Sequence, residues 1–140
     1  MDELLALVLL LREGMVAKDE YYQRLDELFL ESSQDDDLLY LECETDIKCA
    51  IIYIMSHVNY DKLDYEKFGK ALMSKVKVFY RKCSDIERFA NRMYSLWEGI
   101  PGSIQDKEPF SILAYADEPL SWGDKEQTKT IYEEMLNYYD

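Results

Sequence analysis

The stretch from Asp35 to Val58, DDDLLYLECETDIKCAIIYIMSHV, carries two opposed patterns. Its first half holds Asp35, Asp36, Asp37, Glu42, Glu44 and Asp46. Its second half sets Ile47, Ala50, Ile51, Ile54, Met55 and Val58 at the spacing that places side chains on one helix face. Beyond Ile47 the run Ile51, Ile52, Tyr53, Ile54 and Met55 is apolar on nearly every side. The pattern therefore predicts one continuous helix that runs through the middle of the fold and has an acidic entrance.

Helical periodicity extends to both sides of that stretch. Leu4, Leu7, Val8 and Leu11 recur at helical spacing, with Leu5, Leu9 and Leu10 filling most of the remaining surface, so this first helix, which Gly14 ends, should be largely covered by neighbours; Tyr22, Leu25, Leu28 and Phe29 form a second, amphipathic helix between about Lys18 and Glu31. Ser33 to Asp36 can supply the N-cap of the central helix, and Asp64 can cap the next one. There Tyr65, Phe68, Leu72, Val76, Phe79, Tyr80 and Cys83 trace an apolar stripe beside a basic one of Lys67, Lys70, Lys77 and Arg81. Ser84 and Glu87 are placed as a capping box, followed by the stripe Ile86, Phe89, Ala90, Met93 and Trp97. All three prolines lie between Gly99 and Gly123, in a segment too apolar for a free linker, with Pro109 at the start of a short helix. Asp124 and Gln127 open a last helix around Ile131, Met135 and Tyr138. With no repeat and no strand pattern, the expectation is one all-α domain over residues 1–140, a bundle of about six helices with an irregular proline-containing segment before the last.

Charge narrows the class of partner. The net charge is −13, with 14 acids against 3 bases in residues 1–46, 6 against 10 in residues 47–100, and 9 against 3 in residues 101–140. Nucleic acid and anionic membrane both require cations facing phosphate, so neither is expected as a direct partner. A basic protein drawn in by electrostatic steering fits better, although solubility alone is a sufficient reason for an acidic surface. The apolar run near the N-terminus is far short of the roughly 20 residues that span a bilayer, and Asp2 and Glu3 precede it in place of a basic segment. Cys43, Cys49 and Cys83 cannot all pair and show no metal-ligand spacing, so they are expected as reduced, half-buried side chains of a cytoplasmic protein.

His57 is the only histidine, and its place at a helix end suits an interaction with free carbonyls. Asp35, Asp36 and Asp37 lack the arrangement of a calcium loop, no ExxH pair suggests a di-iron site, and the five glycines form no phosphate-binding motif. No cofactor and no enzymatic activity are expected. What remains is surface recognition. Asp35, Asp36, Asp37, Glu42, Glu44 and Asp46 are candidate steering and pairing groups, and Tyr40 is the candidate anchor.

A small acidic helical chain with a DDDLLYLE segment at Asp35–Glu42 resembles the immunity proteins that bacteria make against their own colicin-type or contact-dependent-inhibition toxins. The resemblance lies in size, charge and character along the chain. The chain is longer than the four-helix colicin immunity proteins, and neither Tyr21-Tyr22 nor Tyr138-Tyr139 is followed by the proline of their paired-tyrosine motif. It implies an inhibitor that binds and neutralises a cognate toxin, a basic nuclease, through this acidic, tyrosine-containing surface. The alternative is a helical adaptor or regulatory subunit with a non-toxin partner. Nucleic-acid mimicry and an unrecognised enzyme rank below these.

Overall fold

A helix whose residues are apolar on every side is stable only when neighbours enclose it. In the computed structural model, which describes residues 1–140, that helix is α1 (Asp2–Arg12). Leu4 to Leu10 are all buried, and each of the five leucines among them contributes about 1.5–3 kcal/mol on burial. Helices α2 (Lys18–Glu31), α4 (Ile47–His57), α5 (Tyr65–Lys82) and α6 (Ile86–Gly99) pack around it. The chain leaves α1 through Gly14 at φ +71°. The Gly14 and Met15 N–H groups donate back to the Leu11 and Leu10 carbonyls at 3.0 Å each, which closes the helix end with a left-handed residue.

The central position expected for residues 35–58 thus belongs to α1. That stretch is two helices, α3 (Asp36–Cys43) and α4, broken at Glu44-Thr45-Asp46. Asp46 accepts the Lys48 N–H at 2.9 Å and so starts a new helix where a continuous one was expected. Helix α4 lies on the surface, buries Ala50 and Ile54, and leaves Ile52 68% exposed. Both apolar helices were expected to be covered; α1, with no polar face at all, is enclosed as expected, whereas α4 is not.

The remaining helices are α7 (Gly102–Gln105), α8 (Ile112–Tyr115) and α9 (Lys125–Leu136), with 3-10 turns at Tyr60–Lys62 and Glu118–Trp122 and no strand. The fold is all-α, as expected, but has nine α-helices where about six were expected. The extra ones come from the break at residues 44–46 and from the proline-containing segment. That segment is held by buried Ile100, Ile104, Phe110, Leu113 and Ala116, and by a reciprocal pair in which Trp97 Nε1–H donates to the Gln105 carbonyl and Gln105 Nε2–H to the Trp97 carbonyl. The Glu108–Pro109 peptide is cis, and α8 begins three residues past Pro109, at Ile112. The apolar interior is one continuous cluster of 32 buried residues, in which Phe89 stacks edge-on to both Tyr80 and Tyr132. No helix is long and apolar enough to cross a membrane.

Local details shift by a residue or two. Asp64 caps α5 through the Lys67 N–H, and Asp124 caps α9 through the Gln127 N–H. Asp85, not Ser84, caps α6, accepting the Glu87 and Arg88 N–H groups. Tyr21 in place of Tyr22 is the fully buried ring of α2. Helix α9 turns Thr128, Tyr132, Met135 and Leu136 inward, while Tyr138, past the helix end, stays exposed. Cys43 and Cys49 are exposed and not half-buried, Cys83 is partly covered, and all three are free.

Candidate interaction surface

Helices α3 and α4 meet at a corner that places the acidic stretch. Leu38 and Leu41 turn inward and fix α3 beside α2, which leaves Asp36, Leu39, Tyr40 and Cys43 facing out. Ala50 and Ile54 do the same for α4, so Tyr53 and His57, one turn apart, share its outer flank. The corner brings three rings together. Tyr40 lies over Tyr53 with centroids 4.0 Å apart and planes 13° from parallel, and Tyr53 lies over His57 at 3.8 Å and 14°. The His57 Nδ1–H donates to the Tyr53 carbonyl at 2.9 Å, the helix-end interaction expected of it, and this holds the imidazole flat on the ring.

Carboxylates bracket the stack. The Tyr53 hydroxyl donates to Asp37 Oδ1 at 2.7 Å, and the Tyr40 hydroxyl lies 3.4 Å from Glu44 Oε1. That bond to Asp37, with burial second, pushes the Tyr53 phenol up to about 12, so it remains a donor throughout the neutral range. Burial and then Glu44 raise Tyr40 as well. The Cys49 thiol is pushed up by desolvation and by Asp46 and Glu44, which keeps it in its unreactive protonated form. Between Arg24 and Lys62 the chain holds ten acids and a single lysine or arginine, Lys48.

The seven residues singled out from the sequence divide into distinct roles. Asp35 is the N-cap of α3, its carboxylate accepting the Asp37 and Leu38 N–H groups at 2.9 and 3.2 Å, and Asp46 is the N-cap of α4. Asp37 ties α3 to α4 through Tyr53. Glu42 turns away from Tyr40 toward α2. Its Oε1 is buried with no donor, and burial and the neighbouring Asp26 carboxylate push its pKa up. The Tyr21 hydroxyl is likewise buried without a partner, and its pKa is raised by burial first, then by Tyr22 and by Glu42 and Glu44. Asp36 makes no side-chain bond, and Glu44 makes only long ones, to Tyr40 and to the Asp46 N–H, both at 3.4 Å. Asp36, Tyr40 and Glu44 are thus the members with no strong structural duty.

Sequence reasoning missed Tyr53 and His57 as parts of this surface. Their i, i+4 spacing was visible, but the ring that completes the stack arrives from another helix. Elsewhere, a groove of about 400 Å³ over Glu3, Gln23, Arg24, Glu27 and Lys75 is internally neutralised, with Arg24 paired to Glu3 at 2.7 Å and to Glu27 at 2.8 Å. No three histidine, cysteine or acidic side chains converge in a way that could hold a metal ion. Protein-family models, curated proteins and solved structures were all compared with the chain, and none matches.

Proposed function

We propose that the chain is an immunity-type inhibitor that binds and neutralises a cognate toxin, a basic nuclease, through the α3–α4 face and without catalysis of its own. One observation supports this most directly. Asp36, Glu44 and an aromatic stack lie on a surface whose acids far outnumber its bases, and this combines long-range attraction for a basic protein with rigid aromatic contact area.

The test is the Asp36→Lys/Glu44→Lys double variant. Neither carboxylate makes a short bond in the fold, so reversing both alters the surface without dismantling the helices. Affinity for the cognate toxin domain should fall by roughly tenfold or more, mainly through slower association, and cells carrying the toxin should lose protection. Unchanged affinity and unchanged protection would remove this surface from the reading. Binding to a partner with no rescue of any toxin would favour the adaptor instead.

A further inference from the structure

Tyr40 and Cys43 on α3 and Glu44 just past its end stand at i, i+3 and i+4, and together they line a shallow hollow of about 150 Å³. One face of Tyr40 is covered by Tyr53, and the residue, which lines the hollow, is 45% exposed. The protein's own cations leave this ring alone: its one cation–π contact is Lys107 over Tyr65. Glu44 supplies a carboxylate beside the ring, with only long bonds to hold it.

From these features we infer that the hollow is a socket for an arginine side chain of the partner protein, the guanidinium lying on Tyr40 and donating to Glu44. The inference rests on the α3–α4 face being an interface, and it assigns the chemistry that the interface selects. A guanidinium is planar and weakly hydrated, so it can stack on a ring while its in-plane N–H groups reach a carboxylate. An ammonium is more strongly hydrated and gains less from the same ring. An apolar side chain would strand Glu44, and a metal ion lacks a third ligand. Charge complementarity names the occupant's source: with ten acids to one base between Arg24 and Lys62, a basic protein segment is attracted here. The stack keeps the floor of the socket rigid, because Tyr53 is fixed by Asp37 and by His57.

The probes are oligo-arginine and oligo-lysine peptides of equal length, titrated into the full chain at moderate salt while the ring resonances of Tyr40, Tyr53 and His57 are followed by NMR. The arginine peptide should bind about two- to fivefold more tightly and shift Tyr40 most. Tyr40→Leu should abolish the preference, and Tyr40→Phe, which keeps the ring, should retain it. Cys43→Met, which fills the hollow with Tyr40 in place, should abolish it too. Equal affinity for both peptides, a preference that survives Tyr40→Leu, or shifts confined to the Glu3–Arg24 groove would overturn the socket. The immunity reading fails separately. Arginine selectivity at Tyr40 with no toxin neutralised supports the socket and removes the toxin, whereas a toxin bound equally well by Tyr40→Leu keeps the toxin and overturns the socket.

Discussion

Glu42 and Glu3 are glutamates of one type held in opposite environments. Glu42 has a buried, donor-less oxygen beside Asp26, and its pKa lies above its ordinary 4.5. Glu3 lies below 4.5, first because Arg24 hydrogen-bonds to both of its oxygens. The folded chain therefore holds the Glu42 proton to higher pH than the unfolded chain does. The associated stability is complete below 4.5 and is lost as pH rises through the raised value. For Glu3 it is present above 4.5 and lost as pH falls through the lowered value. Glu42→Gln, which adds a donor for Asp26, should thus stabilise the chain at pH 7 by about 1 kcal/mol. Glu3→Gln should destabilise it by about 1 kcal/mol or less. Both differences should close as thermal melts are moved into acid. A destabilised Glu42→Gln at pH 7 would mean that the Asp26–Glu42 contact supports the fold.

At the scale of elements, the end of the chain is tied to α5. Gly69 has no Cβ, and one built there would collide with the Tyr139 ring and hydroxyl, which lie against the helix. The Tyr139 hydroxyl donates to the Tyr65 carbonyl at 3.3 Å, and Lys77 pairs with Asp140 at 2.8 Å. Gly69→Ala should cost about 1–3 kcal/mol by displacing Tyr139. In a Tyr139→Ala background the same change should instead stabilise by up to about 1 kcal/mol, because alanine is the better helix former. Denaturant melts of the four-member cycle would show this change of sign, and additive effects would mean that the ring does not hold this position in solution. Helix α3 depends on its surroundings in a similar way. Its eight residues are too few to be stable alone, so the Asp35 cap, Leu38 and Leu41, and the Asp37–Tyr53 bond together hold Tyr40 in place.

At the scale of the whole molecule, α1 touches four other helices, and the buried residues form one cluster, so no helix has a core of its own. Unfolding should therefore be a single transition, with far-ultraviolet circular dichroism and tryptophan fluorescence giving coincident curves. Leu9→Ala should lower stability by about 2–5 kcal/mol without splitting that transition. A Trp97 or Trp122 signal that melts ahead of the helices would show that the proline-containing segment forms a separate unit. Charge acts at this scale too. At −13 the surface charge acts over a Debye length of roughly 10 Å, so the binding proposed for the α3–α4 face should weaken steeply with salt.

Much of the fold was legible in the chain because it depends on neighbours in sequence. The 3.6-residue stripes gave α2 its bounds and α5 its buried face, Gly14 ended α1, and Asp35, Asp64 and Asp124 capped their helices. Each of these is a contact within a turn or two of backbone. Which apolar helix lies inside is different, because burial depends on what packs against it. Leu4–Leu10 and Ile51–Met55 looked alike as runs, yet only the first is enclosed. The site divides along the same line. The acids and Tyr40 were visible as residues, while the cap that Asp46 forms, the turn of Glu42 toward Asp26, and the stacking of Tyr40 on Tyr53 and His57 were decided by the break at Glu44–Asp46. That break folds one half of the stretch against the other, and a contact between two helices is set by the angle at which they meet, which no spacing along a single helix encodes.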